Sequence, residues 1–263
     1  MDQNGIDAAI QEFYGGLFDE GARLTTRSVQ GRLEFERTQE IVRMNTPAPA
    51  RVLDVGGATG VHASALARDG YDVVLVDPVE SHVALARQAG MFEAVIGDAR
   101  KLAFPDNSFD AVLMAGPLYH LAMQEDRLKA LREARRVCRP GGFVHAAAIP
   151  RLSAFAAAAL DPQVFDASPD AWLGLLRHGT PVPALRFPGA HFHTPAELQS
   201  EMTAAGIQNA TVVGLEGPAG IALESVSEIA DADYAAAFRL ARTFELAIDI
   251  RDFSNHLMGS GVA

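Results

Sequence analysis

The chain has 263 residues, of which 49% are hydrophobic, and its 22 Lys and Arg are outnumbered by 33 Asp and Glu, for a formal net charge of −11. The hydrophobic fraction excludes a disordered chain and is enough for one sizeable core, and the acidic balance argues against a nucleic-acid-binding protein, which needs clustered Lys and Arg. The single cysteine, Cys138, excludes an internal disulfide and provides no metal-ligand spacing.

Helices are predicted first along the chain. Apolar residues recur at helical spacing between Ile6 and Met44. Two prolines, Pro47 and Pro49, then interrupt the pattern. We therefore expect residues 1–46 to form an N-terminal helical unit in front of a larger domain that spans residues 47–263.

Strands and helices alternate at short spacing in the next part of the chain. The predicted strands are residues 51–55, 72–76, 92–96, 109–115 and 143–149, and the predicted helices between them are residues 61–68, 83–89 and 127–137. Each strand is a continuous apolar run, which is typical of a parallel sheet covered by helices on both faces. The pattern predicts an α/β fold with a doubly wound, mostly parallel sheet.

The alternation stops at Pro150. Scattered prolines and helical patches over residues 150–192 predict an insertion above the sheet. The pattern resumes with a helix at residues 195–205, for which Thr194 is a suitable N-cap. A strand at 210–215, a helix at 233–250 and a last strand at 257–262 follow, although two glycines weaken that last strand.

The first predicted strand runs directly into small residues and then into a helix. The small residues are Gly56-Gly57-Ala58-Thr59-Gly60. They allow backbone N–H groups and the helix N-terminus to approach an anionic or polar ligand. A tight strand-to-helix turn without any ligand is the alternative interpretation.

Three aspartates near strand ends make the ligand interpretation more specific. Asp54 precedes the glycines, where a carboxylate would repel a pyrophosphate and attract a cationic amino group. Asp77 ends the second strand, about 20 residues after the glycine turn, where an acid accepts hydrogen bonds from ribose hydroxyls. Asp98 follows the third strand, within reach of an adenine amino group. A nucleoside with an ammonium group and no phosphate fits this pattern, and S-adenosylmethionine is such a molecule.

A dinucleotide fits the same turn less well. The dinucleotide fingerprint G-x-G-x-x-G, started at Gly56, needs glycines at the positions of Ala58 and Val61. Neither position has one, so the sequence disfavours a dinucleotide site.

The same segments resemble the motifs of class I S-adenosylmethionine-dependent methyltransferases. The first motif is similar to Asp54-Val55-Gly56-Gly57-Ala58-Thr59-Gly60 and the second to Val74-Leu75-Val76-Asp77. The third and fourth are similar to Gly97-Asp98-Ala99 and residues 102–110, in the small-molecule branch that includes ubiquinone-pathway C-methyltransferases. The turn before the fifth strand is similar to Arg139-Pro140-Gly141-Gly142. One departure is Ala58, where the family usually has a second glycine.

The resemblance implies a Rossmann-like, seven-stranded sheet whose last strand is antiparallel, with the N-terminal helices as a lid. It implies contacts of Gly56, Gly57, Ala58 and Gly60 with the methionine end of the cofactor, of Asp77 with the ribose, and of Asp98 and Ala99 with the adenine. We add to these cofactor contacts Asp54, Pro78, Ala115 and Gly116.

The N-terminal helices contain three further candidates. Tyr14 is placed to cover the sulfonium by cation–π attraction or to donate to the cofactor carboxylate. Arg23 or Arg32 is a candidate partner for the methionine carboxylate. A solvated helix face is the alternative interpretation of each residue.

The acceptor is expected at the end of the fourth strand, because ligands of open α/β sheets lie at the carboxyl ends of the strands. Tyr119 is a candidate wall of the acceptor pocket, and His120 is a candidate general base. The alternatives are core packing for Tyr119 and a hydrogen-bonded histidine at a helix start. Methyltransferases of amide and base nitrogens carry Asn or Asp, two prolines and an aromatic residue here; this chain does not, which disfavours protein-glutamine and DNA-base substrates.

A second histidine cluster follows the insertion. His193 is a second candidate base and Phe192 a candidate substrate contact, whereas a hydrogen-bonded loop histidine is the simpler interpretation of His191. No bound metal is predicted, since further ligands are missing from the pattern. The rest of the acceptor pocket is expected from the insertion, with Trp172, Phe155, Phe165 and Leu176 as candidates.

The sequence thus predicts a methyltransferase that uses S-adenosylmethionine and acts on an oxygen, nitrogen or carbon nucleophile of a small molecule, as a monomer or homodimer. Two alternatives are an enzyme that uses the cofactor without methylation, such as a cyclase of its aminobutyrate arm, and a non-catalytic cofactor-binding regulatory or scaffolding protein. No nucleic-acid or membrane partner is expected.

The location is expected to be cytoplasmic. Residues 1–10 are polar and lack the basic start and apolar core of a signal peptide. The most apolar stretch, residues 152–160, is too short to span a bilayer.

Overall fold

The computed structural model describes residues 3–16, 20–159, 169–182 and 191–263. Phe165 and the other residues of the predicted insertion at 160–168 and 183–190 lie outside the described residues, as does part of the N-terminal unit.

Seven strands form one sheet in the order β3-β2-β1-β4-β5-β7-β6. The strands are β1 (Arg51–Val55), β2 (Asp72–Asp77), β3 (Glu93–Ile96), β4 (Phe109–Met114), β5 (Cys138–Ala148), β6 (Gln208–Gly214) and β7 (Leu257–Val262). Neighbours from β3 to β5 pair in parallel, and β7 is antiparallel to both β5 and β6. The predicted α/β fold with an antiparallel last strand is confirmed.

Helices cover both faces of the sheet. They are α1 (Gln3–Gly16), α2 (Glu20–Thr25), α3 (Val29–Asn45), α4 (Val61–Arg68), α5 (Glu80–Gln88), α6 (Gln124–Val137), α7 (Arg151–Ala159), α8 (Pro169–His178), α9 (Pro195–Ala204), α10 (Gly220–Leu223) and α11 (Asp231–Phe244). Apolar residues of α3, α4 and α5 pack on one face, and those of α6 and α9 pack on the other. The central strands are therefore buried on both sides, which explains their continuous apolar runs.

The N-terminal helices pack closely on one another and on the rest of the chain. α1 lies against α5, and α3 lies against α4 and α10. α2 approaches α3 at Gly31, where an added Cβ would lie 1.9 Å from the carbonyl oxygen of Arg23. Only a glycine permits this approach, and it brings Arg23 next to α3.

Two segments in the second half of the chain differ from the sequence prediction. The segment Arg139-Pro140-Gly141-Gly142 is a bulge inside β5 rather than a turn before it, because Cys138 already pairs with Phe109. The predicted helix at 233–250 ends at Phe244, since the next carbonyl, that of Glu245, accepts a hydrogen bond from Gly214 at the end of β6.

A buried ion pair connects α6 to α9. Arg127 and Glu201 are 4% and 3% exposed, and the guanidinium of Arg127 donates hydrogen bonds of 2.7–3.2 Å to the Glu201 carboxylate. Arg127 also donates to the carbonyl oxygens of Leu121 and Ala122. The pair therefore fixes the loop that follows β4. Burial alone would raise the pKa of Glu201, but hydrogen bonds from His193 and Arg127 outweigh it and lower this pKa to about 2.

Over residues 3–16, 20–159, 169–182 and 191–263, every helix is too short or too polar to cross a bilayer.

We predict that the buried pair of Arg127 and Glu201 is important for the stability of the fold. Glu201→Gln leaves the Arg127 guanidinium buried without its counter-charge, so we expect the free energy of unfolding to fall by about 3–5 kcal/mol in denaturant titrations. Lys129→Gln on α6 breaks only exposed pairs with Glu125 and Asp126, and its expected loss is below about 1 kcal/mol. Losses of equal size in the two variants would contradict this role of Arg127 and Glu201.

Candidate active site

A cavity of about 320 Å³ lies at the carboxyl ends of β1, β2, β3 and β4. Thirteen residues predicted from the sequence line it: Tyr14, Arg23, Gly56, Gly57, Ala58, Asp77, Pro78, Asp98, Ala99, Ala115, Gly116, Tyr119 and His120. Eight other described candidates do not: Arg32, Asp54, Gly60, Phe155, Trp172, Leu176, Phe192 and His193. The strand ends thus gather most of the predicted site, as expected for an open α/β sheet.

The glycine turn forms the floor of the cavity. Gly56 has a φ of +72°, and a Cβ added there would lie 2.8 Å from Pro117. Gly60 has a φ of +87° and forms the N-cap of α4, facing Phe92 rather than the cavity. Ala58 has a φ of +48°, a conformation that glycine adopts more easily.

Asp54 lies directly beneath this turn. Its side chain is fully buried, and neither carboxylate oxygen has a cationic partner or a well-aligned hydrogen bond among the described residues. A Cβ added to Gly57 would lie 2.6 Å from Oδ2 of Asp54, so the carboxylate touches the back of the cavity floor. Burial, and then the charge of Asp77, raises the pKa of Asp54 to about 7. The ionised form of Asp54 is therefore disfavoured in the ligand-free protein, and a nearby cation would stabilise it.

Asp77 connects the second strand to the turn. Its Oδ2 accepts a hydrogen bond of 2.9 Å from the backbone N–H of Ala58, and its Oδ1 accepts one of 2.9 Å from Val79. Each carboxylate oxygen can accept a further hydrogen bond. Asp77 thus orients the turn while it lines the cavity.

Arg100 was not predicted, yet it holds the third aspartate. Its guanidinium donates hydrogen bonds of 2.6–3.0 Å to Asp98 and one of 3.0 Å to Asp7 of α1. Burial would raise the pKa of Asp98, but the hydrogen bonds from Arg100 lower it overall. The end of β3 is thereby connected to the N-terminal helix.

Helix α1 covers the cavity through polar side chains. Gln3 donates to the carbonyl oxygen of His120 at 3.1 Å, and Gln11 donates to that of Pro78 at 2.9 Å. The hydroxyl of Tyr14 lies 3.3 Å from Nε2 of His120. The sequence contains a signal for this contact face, because Gln3, Asp7, Gln11 and Tyr14 recur at helical spacing.

The two candidate arginines have different surroundings. Arg23 lines the cavity and donates two hydrogen bonds, of 2.6 and 3.1 Å, to Glu34. Arg32 lies outside the cavity, where it pairs with Glu36 and stacks 3.8 Å from the ring centre of Tyr234. The reason is helical phase, since Arg32 precedes Glu34 by two residues, or about 200° of rotation around α3.

The second histidine cluster lies outside the cavity. His193 is fully buried, with Nε2 3.2 Å from the Glu201 carboxylate. Phe192 packs with Leu175, and Trp172 packs against Phe155 at 5.2 Å between ring centres. The predicted contacts of these residues with substrate therefore have no geometric support in the described residues, because the insertion residues pack on one another.

Tyr119 and His120 are held at the end of β4. They belong to a short 3₁₀ turn, Pro117–His120, and the hydroxyl of Tyr119 donates to the carbonyl oxygen of Ala115 at 2.9 Å. Their rings stack edge to face. Both rings thus lie beside the end of β4, where they line the cavity.

The surroundings of Asp54 predict a pH-dependent stability. Its pKa is higher in the folded chain than the ~3.9 of an unfolded aspartate, so ionising it destabilises the fold as pH rises from about 4 to 7. Asp54→Asn should raise the free energy of unfolding of the ligand-free protein at pH 8 by about 2–4 kcal/mol and leave it unchanged near pH 4.

Denaturant titrations across this pH range measure the effect. Asp72→Asn, an exposed change at the start of β2, is the matched control and should show no such pH dependence. A constant difference between Asp54→Asn and the unmodified protein at all pH values would contradict the assignment of a buried, unpaired carboxylate.

Known proteins resemble the central part of the chain. The profile of a methyltransferase domain family matches residues 53–146. An uncharacterized methyltransferase of Mycobacterium bovis is 41% identical over 98 residues, 36% of this chain. A ubiquinone/menaquinone biosynthesis C-methyltransferase of Azotobacter vinelandii is 38% identical over 102 residues, 35% of this chain. The matches span 39% of the length of each relative.

Solved structures share the fold of almost the whole chain. A Thermotoga maritima S-adenosylmethionine-dependent methyltransferase, described as a possible histamine N-methyltransferase, is 19% identical, with a TM-score of 0.58 and 98% of both chains covered. The [4+2]-cyclase SpnF is 22% identical, with a TM-score of 0.53, over 86% of this chain and 80% of that one. The matched segment thus likens residues 53–146 to a methyltransferase domain, and the cofactor that this likeness implies is S-adenosylmethionine.

Proposed function

We propose that this protein transfers the methyl group of S-adenosylmethionine to an oxygen, nitrogen or carbon nucleophile of a small molecule. The observation that carries the proposal is the unpaired, buried carboxylate of Asp54 beneath the glycine turn. Asp54 lies behind the cavity floor rather than in the cavity, so its charge acts through Gly57: it repels a phosphate-bearing ligand and attracts the ammonium group of S-adenosylmethionine.

The order of the strands supports one orientation of the cofactor. Asp98 with Ala99, Asp77 and the glycine turn follow β3, β2 and β1, which are consecutive in the sheet. We assign the adenine, the ribose and the methionine end to these places in the same order. Pro78 adds an apolar contact beside the ribose, and Ala115 and Gly116 border the methionine end.

Arg23 is the proposed partner of the methionine carboxylate. It lines the cavity together with His62, in the first turn of α4 after the glycine turn. A guanidinium is suited to a carboxylate because it donates two parallel hydrogen bonds. Arg32 is not assigned this role, since it lies outside the cavity.

The size and cover of the cavity support a small acceptor. α1 lies over the cavity and contacts the loop after β4, so the space beside Tyr119 and His120 is bounded by the lid. The net charge of −11 also disfavours a nucleic-acid acceptor.

His120 is the proposed general base for an acceptor that must lose a proton. When bound, the cofactor supplies an electrophilic methyl group, so the remaining task of the protein is to position the nucleophile and remove its proton. The hydroxyl of Tyr14 contacts the His120 ring and orients it. His193 is not assigned a catalytic role, because it is buried against Glu201.

The fold alone does not decide the reaction, since the neighbour SpnF is described as a [4+2]-cyclase. Product analysis after incubation with S-adenosylmethionine and candidate small-molecule acceptors tests the proposal. Methylated acceptor with an equal amount of S-adenosylhomocysteine is the expected result. Methylthioadenosine would indicate cyclisation of the aminobutyrate arm, and binding without turnover of any acceptor would favour a regulatory protein.

We predict that the carboxylate of Asp77 contributes to the affinity for the cofactor. Asp77→Ala removes charged hydrogen bonds to the ribose, so the affinity for S-adenosylhomocysteine, measured by calorimetry, should fall by about 1.5–3 kcal/mol. Asp72→Ala, at the other end of the same strand, should bind normally. Unchanged affinity in Asp77→Ala would exclude the ribose assignment.

We predict that His120 determines the pH dependence of kcat. A general base must be neutral, so kcat should rise with pH between about 5 and 8, and His120→Gln should abolish this rise. Tyr14→Phe should lower kcat less and keep the pH dependence. If His120→Gln raises KM and leaves the pH profile unchanged, His120 only shapes the acceptor pocket.

A further inference from the structure

A network of buried charges lies behind the cavity-lining arginine. Arg23 donates two hydrogen bonds to Glu34 of α3, which is 5% exposed. Beyond Glu34 lie Glu216, which is fully buried, and His256. These four ionisable groups come from parts of the chain more than 200 residues apart, and none of the last three was singled out by the sequence motifs.

The antiparallel last strand explains how they meet. Glu216 follows β6, and His256 immediately precedes β7. Leu257, the first residue of β7, pairs with Ala148 at the end of β5 and with Gly214 at the end of β6. The start of β7 therefore lies at the same edge of the sheet as the carboxyl ends of the parallel strands, which is the edge that bears the cavity.

Hydrogen bonds fix the geometry of the network. Nδ1 of His256 lies 2.6 Å from Glu216 and 3.3 Å from Glu34. Ser254 and the backbone N–H of His256 donate to the second oxygen of Glu216, at 2.6 and 2.9 Å. The amide of Gln30 donates to both carboxylates. The ring of His256 is therefore held between two acids.

Among the described groups of this network, the charges balance only when His256 is protonated. Glu34 and Glu216 then face Arg23 and the imidazolium, two negative and two positive groups. Burial would lower the pKa of His256, but the two carboxylates outweigh it and raise this pKa overall. The nearby His62 is not a second cation, because burial lowers its pKa to about 4.

The same three side chains have the spacing of a metal site, since ligand atoms of Glu34, Glu216 and His256 lie within 4.8 Å of one another. The donors around them favour an ion-pair network instead. Arg23 supplies the positive charge at Glu34, and the oxygens of Glu216 already accept from Gln30 and Ser254.

We infer that His256 is a positioning residue for anion binding by Arg23: its protonated ring neutralises the acids behind Arg23, so that the guanidinium attracts a carboxylate in the cavity. When His256 is neutral, the network has one excess negative charge, which holds Arg23 on Glu34 and repels a ligand carboxylate. The inference rests on the proposed function, in which that carboxylate belongs to the methionine end of the cofactor.

Two ligands isolate the carboxylate in the experiment. S-adenosylhomocysteine carries it, and decarboxylated S-adenosylhomocysteine keeps the amine but lacks it. The ratio of their Kd values, measured by calorimetry between about pH 6 and 8, reports the carboxylate contribution, because both amines stay largely protonated in this range and the titration of Asp54 affects both ligands. In the unmodified protein we expect the preference for the carboxylate to fall about three- to tenfold as pH rises.

Three variants test whether the network causes this fall in the preference for the carboxylate. His256→Gln should show the reduced preference at every pH, and Arg23→Gln should bind the two ligands almost equally. Arg43→Gln, which removes an exposed cation from α3, is the matched control and should behave as the unmodified protein does.

The outcomes separate the inference from the proposed function. A pH-independent preference in the unmodified protein, or a normal pH dependence in His256→Gln, would overturn the inference while leaving the proposed function intact. Failure of both ligands to bind the unmodified protein would overturn the proposed function itself. The pH series on the unmodified protein decides the inference even if His256→Gln does not fold.

Discussion

The parallel pairing of β1 with β2 and β4 is the constraint on which the rest of the structure depends. Backbone hydrogen bonds hold these strands in register, so their carboxyl ends form a row. The glycine turn, Asp77 and Gly116 follow those ends and are thereby brought within one cavity. Short side chains and backbone groups are enough to line the cavity, because the sheet positions the backbone of these residues.

The packing of α1 over the cavity depends on the same row of strand ends. α1 makes its polar contacts with residues that follow strand ends, at Pro78, Arg100 and His120. Backbone carbonyl groups accept two of these bonds, so the sheet edge presents acceptors to the helix. A helix with polar residues at helical spacing is therefore suited to this edge of the sheet, and its packing there places the hydroxyl of Tyr14 beside His120.

Buried charges connect the distant parts of the chain to the site. The pair of Arg127 and Glu201 fixes the loop after β4, whereas Glu34, Glu216 and His256 lie behind Arg23. A buried charge is costly unless it is paired, so each network restricts the elements that contribute to it. Asp54 is the exception, since its buried carboxylate lacks such a partner among the described residues, and the proposed place of the cofactor ammonium group rests on that observation.

The sequence by itself determined the sheet, the glycine turn and the three aspartates at strand ends. These features are local: apolar runs predict strands, small residues permit the turn, and parallel strands align their carboxyl ends. Only the tertiary structure decided which polar side chains reach the cavity. Arg23 rather than Arg32 lines it, Arg100 joins it, and His193 is buried elsewhere. The physical reason is that the rotation of a residue around its helix and its long-range partners decide where its side chain lies. No local motif predicts the contact between Arg23 and Glu34 or that between His193 and Glu201.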